Sequence, residues 1–373
     1  MLSKLLLIND YLQSNGNLTF DEFKFNEIDA AILASLSYAD FRAVEFFNQK
    51  VKFNRDIKLL EFYQDKDIKK LSQRYLNGKG SYGTFFKLCV NSLRFKDLVI
   101  TNVEDKLDQD TQFFAMTFLI DNKNIIIFRG TDNTLIGWKE DLLTAIYEKV
   151  EAQELALKYA EKHIKSMTNE NYIIGHSKGG NLAYFSFLNL PWFKKKLIKR
   201  VYNFDGNGFK DDKYDYSQYK GQIFKYVPSD DVVGAFFDVE NNHEIVKSVN
   251  FSVLAHDLLS WKIDPNKPNE FLKEDRLTSY SEAFKISVNE WMYHLENEDV
   301  EDFLDFIFDI VSINEPETLN NFLNNFFKTS PQYIKFLFRY PAEKRKKLLN
   351  LSLKFIKKYN QTLSDVNRER RQQ

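Results

Sequence analysis

The sequence predicts an α/β protein with a mostly parallel sheet that is covered by helices on both faces. Short apolar runs alternate with helical patterns between residues 97 and 227. Continuously apolar runs of this kind are typical of strands that are buried on both faces. The glycines end at Gly234, and the chain beyond it shows helical periodicity. We therefore expect a sheet-containing part followed by a helical one.

Composition limits the range of functions. The chain has 373 residues of which 43% are apolar, enough for a large core. Its 52 basic and 53 acidic residues give a net charge of −1, so we expect no nucleic-acid partner. Cys89 is the one cysteine and has no partner for an internal disulfide, which fits a reducing compartment.

The sequence predicts a cytoplasmic protein without a transmembrane segment. No run approaches the roughly 18 uncharged residues that a membrane-spanning helix needs. The apolar run at residues 5–8 is too short for the core of a secretory signal. Export without a cleaved signal and transient contact with a membrane surface stay open.

The order of predicted elements begins with a helical segment that carries Phe25, Ile28, Ile32 and Leu36 at helical spacing. A polar, glycine-bearing stretch at residues 77–83 is expected to separate it from the sheet. Helices are predicted at residues 150–166 and 181–190. Strands are predicted at residues 98–101, 113–120, 124–128, 172–174, 201–204, 223–227 and 245–249, with a tight hairpin turn at residues 121–123.

The pattern divides the chain into residues 1–262, an α/β domain with its N-terminal helical segment, and residues 263–373, a helical C-terminal region. Phe303, Leu304, Ile307, Ile310 and Val311 recur at helical spacing in that region. Its helices are a candidate surface for a protein partner.

The strongest motif is Gly175-His176-Ser177-Lys178-Gly179. An apolar strand pattern precedes it and a helical pattern follows it, which is the order of a nucleophile elbow. Such a turn holds a serine exposed beside a base. The motif predicts Ser177 as the nucleophile of an α/β-hydrolase. The alternative is a glycine-rich turn whose serine only caps a helix.

The base is expected to be His256. His176 adjoins Ser177 and is expected to face away from it, His163 lies in a charged helical pattern, and His294 lies in the helical region. A triad histidine commonly follows the last core strand, here residues 245–249. His256 follows that strand, whereas the remaining candidate, His243, precedes it.

The acid is expected after an earlier strand end and before the histidine. Asp231 meets both conditions. Asp230 and Asp205 are the alternative acids. An oxyanion site needs two backbone donors, of which the amide of Lys178 is one. The second is expected from residues 128–132, which follow a predicted strand.

These motifs resemble a known family. Phe128-Arg129-Gly130-Thr131, then Trp138 and Asp141, and the Gly175–Gly180 segment are similar to class 3 lipases, and more closely to their bacterial relatives, the Mbeg-like lipase-fold proteins. The resemblance spans residues 23 to 262. It implies that Thr131 contributes to the oxyanion hole, and that the acid is Asp231, in place of the aspartate of an Asp-x-Val-Pro turn.

The sequence departs from the lipase pattern at three places. Lys178 stands where an apolar residue is usual, and Gly234 replaces the turn proline. Residues 204–208, Phe-Asp-Gly-Asn-Gly, replace a Gly-x-Pro-x-x-Gly segment. These departures favour the bacterial branch and argue against triglyceride lipase activity.

The sequence thus predicts a serine hydrolase of acyl or lipid esters, with a place in lipid metabolism and no cofactor. No histidine pair has the spacing of metal ligands on one helix, so no metal is expected. Two alternatives stay open. One is a thioesterase or acyltransferase on the same residues, and the other is an interaction or scaffold protein with weak catalysis.

Overall fold

The structure is a computed structural model that describes residues 6–39, 56–62, 79–107, 112–130, 150–165, 169–209, 214–237, 243–312, 338 and 340–372. Its strands are β1 (Ile57–Lys58), β2 (Val99–Leu107), β3 (Gln112–Ile120), β4 (Lys123–Phe128), β5 (Glu170–His176), β6 (Ile198–Phe204), β7 (Ile223–Pro228), β8 (His243–Val246), β9 (Ile263–Asp264), β10 (Lys267–Phe271) and β11 (Lys273–Glu274). Among the described residues, a sheet of nine strands runs in the order β1-β2-β3-β4-β5-β6-β7-β8-β11.

The helices precede the central strands, then alternate with them, and finally follow them. They are α1 (Ile8–Asn15), α2 (Glu27–Leu36), α3 (Lys79–Asn91), α4 (Glu151–His163), α5 (Lys178–Asn189), α6 (Trp192–Lys195), α7 (Ser279–Tyr293), α8 (Asn297–Ser312) and α9 (Ala342–Gln372). Four 3-10 segments lie at Leu59–Phe62, Tyr216–Tyr219, Ser252–His256 and Leu258–Ser260.

Strand direction divides the sheet. Strands β4 to β8 run parallel, whereas β1 to β4 and the edge strand β11 pair antiparallel. The predicted hairpin at residues 121–123 is confirmed, since Ile120 pairs with Lys123. The predicted α/β class is therefore confirmed, with a large mixed sheet. Strand β11 lies beyond residue 262, where the sequence divides the chain.

Both faces of the sheet are buried. Along β4, Ile125 and Ile127 join a core under α2 and α3, while Ile126 and Phe128 join a second core under α4 and α5. This alternation follows from the two-residue period of a strand. It explains why β4 reads as a continuously apolar run.

A buried ion pair joins helix α2 to the segment between α3 and β2. Arg94 donates to Asp29 through Nε at 2.7 Å and Nη2 at 2.5 Å, and both side chains are fully buried. Tyr11 donates to the same carboxylate at 2.9 Å. The guanidinium of Arg94 also lies 4.0 Å from the ring centre of Phe20. Each charge of the buried pair therefore has an opposite charge and further contacts that offset the cost of burial.

The C-terminal helices pack on one another. Trp291 of α7 contacts Phe303 of α8 and Phe355 of α9, with ring centres 4.8 and 5.3 Å apart. An ion pair joins Lys358 of α9 to Glu290 of α7. In the part of the chain that the structure describes, no helix combines the length and apolarity needed to cross a membrane.

Candidate active site

Ser177 occupies a sharp turn between β5 and α5. Its backbone is left-handed, with φ 59° and ψ −132°. The turn is tight enough that a Cβ on Gly179 would overlap the backbone of Phe128. Glycine at position 179 is therefore a steric requirement. The strand, turn and helix order predicted for the motif is present.

Strand register brings Asp205 beside Ser177. His176 at the end of β5 pairs with Phe204 at the end of β6, so the next residues, Ser177 and Asp205, leave the sheet side by side. The amide of Ser177 donates to the carbonyl of Phe204 at 2.9 Å. Asp205 also has a left-handed backbone, with φ 53°, a conformation that aspartate tolerates better than most residues.

His256 contacts Asp205 and lies at the end of the 3-10 segment Ser252–His256. Its Nδ1–H donates to Oδ2 of Asp205 at 2.6 Å. The two side chains are 2% and 0% exposed. Burial lowers the pKa of His256 to about 3, so the imidazole is neutral at neutral pH. With the proton on Nδ1, Nε2 is the basic nitrogen of this ring.

The hydrogen bond that the sequence predicts for Asp231 is made by Asp205, the alternative acid. Oδ1 of Asp231 instead accepts the backbone N–H groups of Val233 and Gly234, at 2.8 and 2.9 Å. The physical reason is register, because Asp205 directly follows the strand beside β5, whereas Asp231 lies three residues past β7. Asp230, the other alternative, lines a neighbouring cavity.

The oxyanion residues are placed in part. Lys178 is the first residue of α5, and its side-chain Nζ donates to the carbonyl of Gln112 at 2.8 Å. Gly130 brings the preceding loop close, since a Cβ there would lie 2.8 Å from Cβ of Ser177. Thr131 lies outside the described residues, as do Trp138 and Asp141.

His176 supports the candidate site, a role that the sequence did not indicate. Its Nε2–H donates to the carbonyl of His256 at 2.8 Å, and its Nδ1 accepts from the hydroxyl of Tyr38 at 2.8 Å. Burial, and then the neighbouring His256, lower the pKa of His176 well below the ordinary value. Position 176 within the motif was the available signal, because a buried polar ring needs partners.

Asn181 fixes the segment after Asp205. Its Nδ2 donates to the carbonyls of Asn207 and Gly208 at 3.3 and 3.1 Å. Its Oδ1 accepts from Gln153 of α4 at 2.9 Å. A residue of α5, the helix that follows Ser177, therefore also holds the loop that carries Asp205.

A cavity of about 1060 Å³ opens beside Ser177 and Asp205. Most of the surface that lines it is contributed by apolar atoms, and the lining includes residues of α7 and α9. Within the residues that the structure describes, no three His, Cys, Asp or Glu side chains are grouped to hold a metal ion.

The fold and the site together define an α/β protein with a serine at a strand-to-helix turn beside a buried histidine and aspartate pair. The sequence model of the Mbeg1-like family matches residues 89–309, more than half of the chain. The chain belongs to the Mbeg1-like family. No curated protein matches it.

Proposed function

We propose that the protein is a serine hydrolase of carboxylic esters, with an α/β-hydrolase fold in which Ser177, His256 and Asp205 form the triad. The observation that carries the proposal is the 2.6 Å hydrogen bond from His256 to Asp205, beside a serine with a left-handed backbone. Asp205 takes the role that the sequence assigns to Asp231. The neighbouring apolar cavity supports an acyl ester as substrate.

The chemistry follows from these positions. Nε2 of His256 accepts the proton of the Ser177 hydroxyl as its oxygen attacks the ester carbonyl. Asp205 stabilises the imidazolium that forms. The charged carbonyl oxygen is held by the amide of Lys178 and, as the family resemblance implies, by Thr131. The imidazolium then protonates the departing alcohol, and water attacks the acyl-enzyme by the same steps to release the acid.

A fluorophosphonate probe tests the proposal, because it labels an activated serine without knowledge of the natural substrate. We expect wild type to be labelled and Ser177→Ala to be unlabelled. Ser186→Ala is the matched control, since Ser186 is a buried serine of α5 whose hydroxyl donates to the carbonyl of Ala183. Labelling of Ser177→Ala, or none of the wild type, contradicts the proposal.

Thioester hydrolysis and acyl transfer use the same residues and remain alternative predictions. A panel of oxygen esters and thioesters, with and without an alcohol acceptor, separates them. An interaction or scaffold role is the remaining alternative, and absence of labelling would favour it.

A further inference from the structure

The cavity beside Ser177 lies between two parts of the chain. The sheet side contributes Ser177, Val232 and Val233. The helical side contributes Phe284 from α7 and Tyr359 from α9 among others. Helix α9 lies beyond residue 309, where the family match ends. Part of the cavity wall is therefore formed by residues that lie outside the family match.

Aromatic packing holds that wall against the sheet side. Phe236 follows the turn that carries Asp231, and its ring centre lies 5.9 Å from that of Phe284. Phe284 lies 6.1 Å from Phe355, which stacks on Tyr359 at 6.4 Å. The contacts run without a break from the active-site turn to α9.

Arg370 fastens the end of α9. Its Nη2 donates to the carbonyl of Leu277 at 2.5 Å and also to the carboxylate of Glu282 in α7. Charge-assisted hydrogen bonds of this kind fix a geometry more firmly than neutral ones. The wall is thus held by both packing and charge.

We propose that this cavity binds the hydrocarbon chain of the substrate's acyl group, and that α9 sets the chain length that the protein accepts. A volume of about 1060 Å³ is at the upper end of small-molecule sites, which span roughly 300–1,000 Å³. A short acyl group would leave most of it empty. Each further buried methylene is worth roughly fourfold in affinity until the cavity is filled. The position of the ester carbonyl rests on the proposed function, whereas binding of the chain does not.

Binding of fatty acids to Ser177→Ala tests the acyl-chain site separately from the proposed catalysis. We expect calorimetry to show that dodecanoate binds the full chain and that butyrate binds far more weakly. Asn367→Trp places a large ring into the cavity from α9 and should weaken dodecanoate binding about tenfold or more. Glu369→Trp, on the exposed side of the same turn, is the matched control and should bind as its parent does.

Val232→Phe fills the same cavity from the sheet side and provides a second test if the Asn367→Trp variant fails to fold. Equal affinity for butyrate and dodecanoate overturns the proposal, and so does unchanged binding in both filled variants. Loss of Ser177-dependent labelling with normal dodecanoate binding would overturn the proposed function alone.

A second inference concerns Asp231, on different observations. Its side chain is hydrogen-bonded to that of Asp205, and the two residues are 3% and 0% exposed. One oxygen of Asp231 is already occupied by the amides of Val233 and Gly234. Two carboxylates in contact inside a protein do not both ionise, because neither water nor distance weakens their repulsion.

The groups that face the pair act on both carboxyls. Asp205 accepts from His256, whereas the ammonium of Lys225 on β7 favours a charge on Asp231, an effect smaller than those of burial and of Asp205. Burial, and then the charge of Asp205, raise the pKa of Asp231 well above its ordinary value. His176, which lies against His256, is kept neutral by burial.

We infer that Asp231 is a positioning residue that keeps its proton and donates it in a hydrogen bond to Asp205, so that the pair presents one negative charge to His256. This inference rests on the proposed function for its effect on catalysis. It also explains why an aspartate occupies the turn although another aspartate orients the histidine.

Asn mimics a protonated carboxyl, because its oxygen accepts and its nitrogen donates. Asp231→Asn should therefore keep nearly wild-type kcat and the same acid limb of kcat/KM against pH. Asp231→Ala should lower kcat about tenfold or more, because Asp205 loses its hydrogen-bond donor. A charged Asp231 predicts the opposite, since its removal would shift the acid limb of Asp231→Asn to lower pH. That shift overturns the inference.

Carbon-13 NMR of aspartate carboxyl groups tests the proton without any activity. The resonance assigned through Asp231→Asn should have the shift of a protonated carboxyl at neutral pH. The shift of a carboxylate overturns the inference even if the protein proves not to be a hydrolase.

Discussion

Gly234 lies directly against Asp205, so close that a Cβ at position 234 would overlap Oδ1 of the carboxylate. Its N–H also donates to Asp231 at 2.9 Å, a bond that proline cannot make. Two departures from the lipase pattern are therefore linked. Glycine in place of the turn proline leaves the space that the carboxylate of Asp205, in the segment after β6, occupies.

Gly234→Ala should destabilise the protein through this overlap. We expect a cost of about 1–3 kcal/mol in the free energy of unfolding, as for other overpacked sites. The cost should fall when Asp205→Ala removes the colliding carboxylate, as measured by urea unfolding of the four proteins in a double-mutant cycle. Equal costs in the two backgrounds would show that the collision is not the cause.

The left-handed backbone at Ser177 predicts an unusual order of stability. Ser177→Gly should be more stable than Ser177→Ala by about 1 kcal/mol, because glycine adopts this conformation without strain. At Ser186, inside helix α5, the order should reverse, since glycine costs about 1 kcal/mol relative to alanine there. Thermal unfolding of the four variants checks this, and the same order at both positions would sink it.

Removal of Asp29 should be costly, because it leaves the buried Arg94 without its counter-charge. We expect Asp29→Ala to lose about 3–5 kcal/mol in the free energy of unfolding. Asp97→Ala removes one partner of the exposed Lys58–Asp97 pair and should cost about 1 kcal/mol or less. Urea unfolding distinguishes them, and comparable costs would contradict the role given to burial.

His176 should make stability depend on pH. Its pKa in the folded protein is lowered by burial, so the unfolded chain takes up the proton first as pH falls. The stability from this residue is therefore fully present above the unfolded pKa of about 6.5 and is lost below it, by up to about 1.4 kcal/mol per pH unit.

His176→Gln is the variant that isolates this effect. Glutamine can still donate to His256 and accept from Tyr38, but it does not titrate. Below the unfolded pKa, wild type should lose stability more steeply than the variant, as followed by urea unfolding at several pH values. Parallel curves would mean that the ring is not held neutral.

Most of the fold was predictable because the decisive signals are local. The elbow at Ser177, the turn at residues 121–123 and the apolar β4 each depend on a few adjacent residues. Gly80 and Gly83 were misleading, since the expected separating stretch begins helix α3 instead. Nearby Phe85, Phe86 and Cys89 are buried, and this packing outweighs the poor helix propensity of glycine.

The candidate site was less predictable because it depends on register between strands far apart in sequence. Asp205 and Asp231 both follow a strand, and spacing alone does not say which strand adjoins β5. The pairing of His176 with Phe204 decides it. The brace from Tyr38 to His176 spans 138 positions, and no local pattern encodes such a contact.

The hydrogen bond from Tyr38 to His176 also joins a residue outside the family match to the candidate site. The family match begins at residue 89, yet Tyr38 contacts His176, whose ring lies against His256, and Glu27 accepts from Tyr226 and from the amide of Phe271. A fragment cut at the homology boundary would expose one face of its sheet to water and lose these partners. A fragment limited to the matched residues would thus be incomplete, because residues near the N-terminus contact those that surround the candidate site.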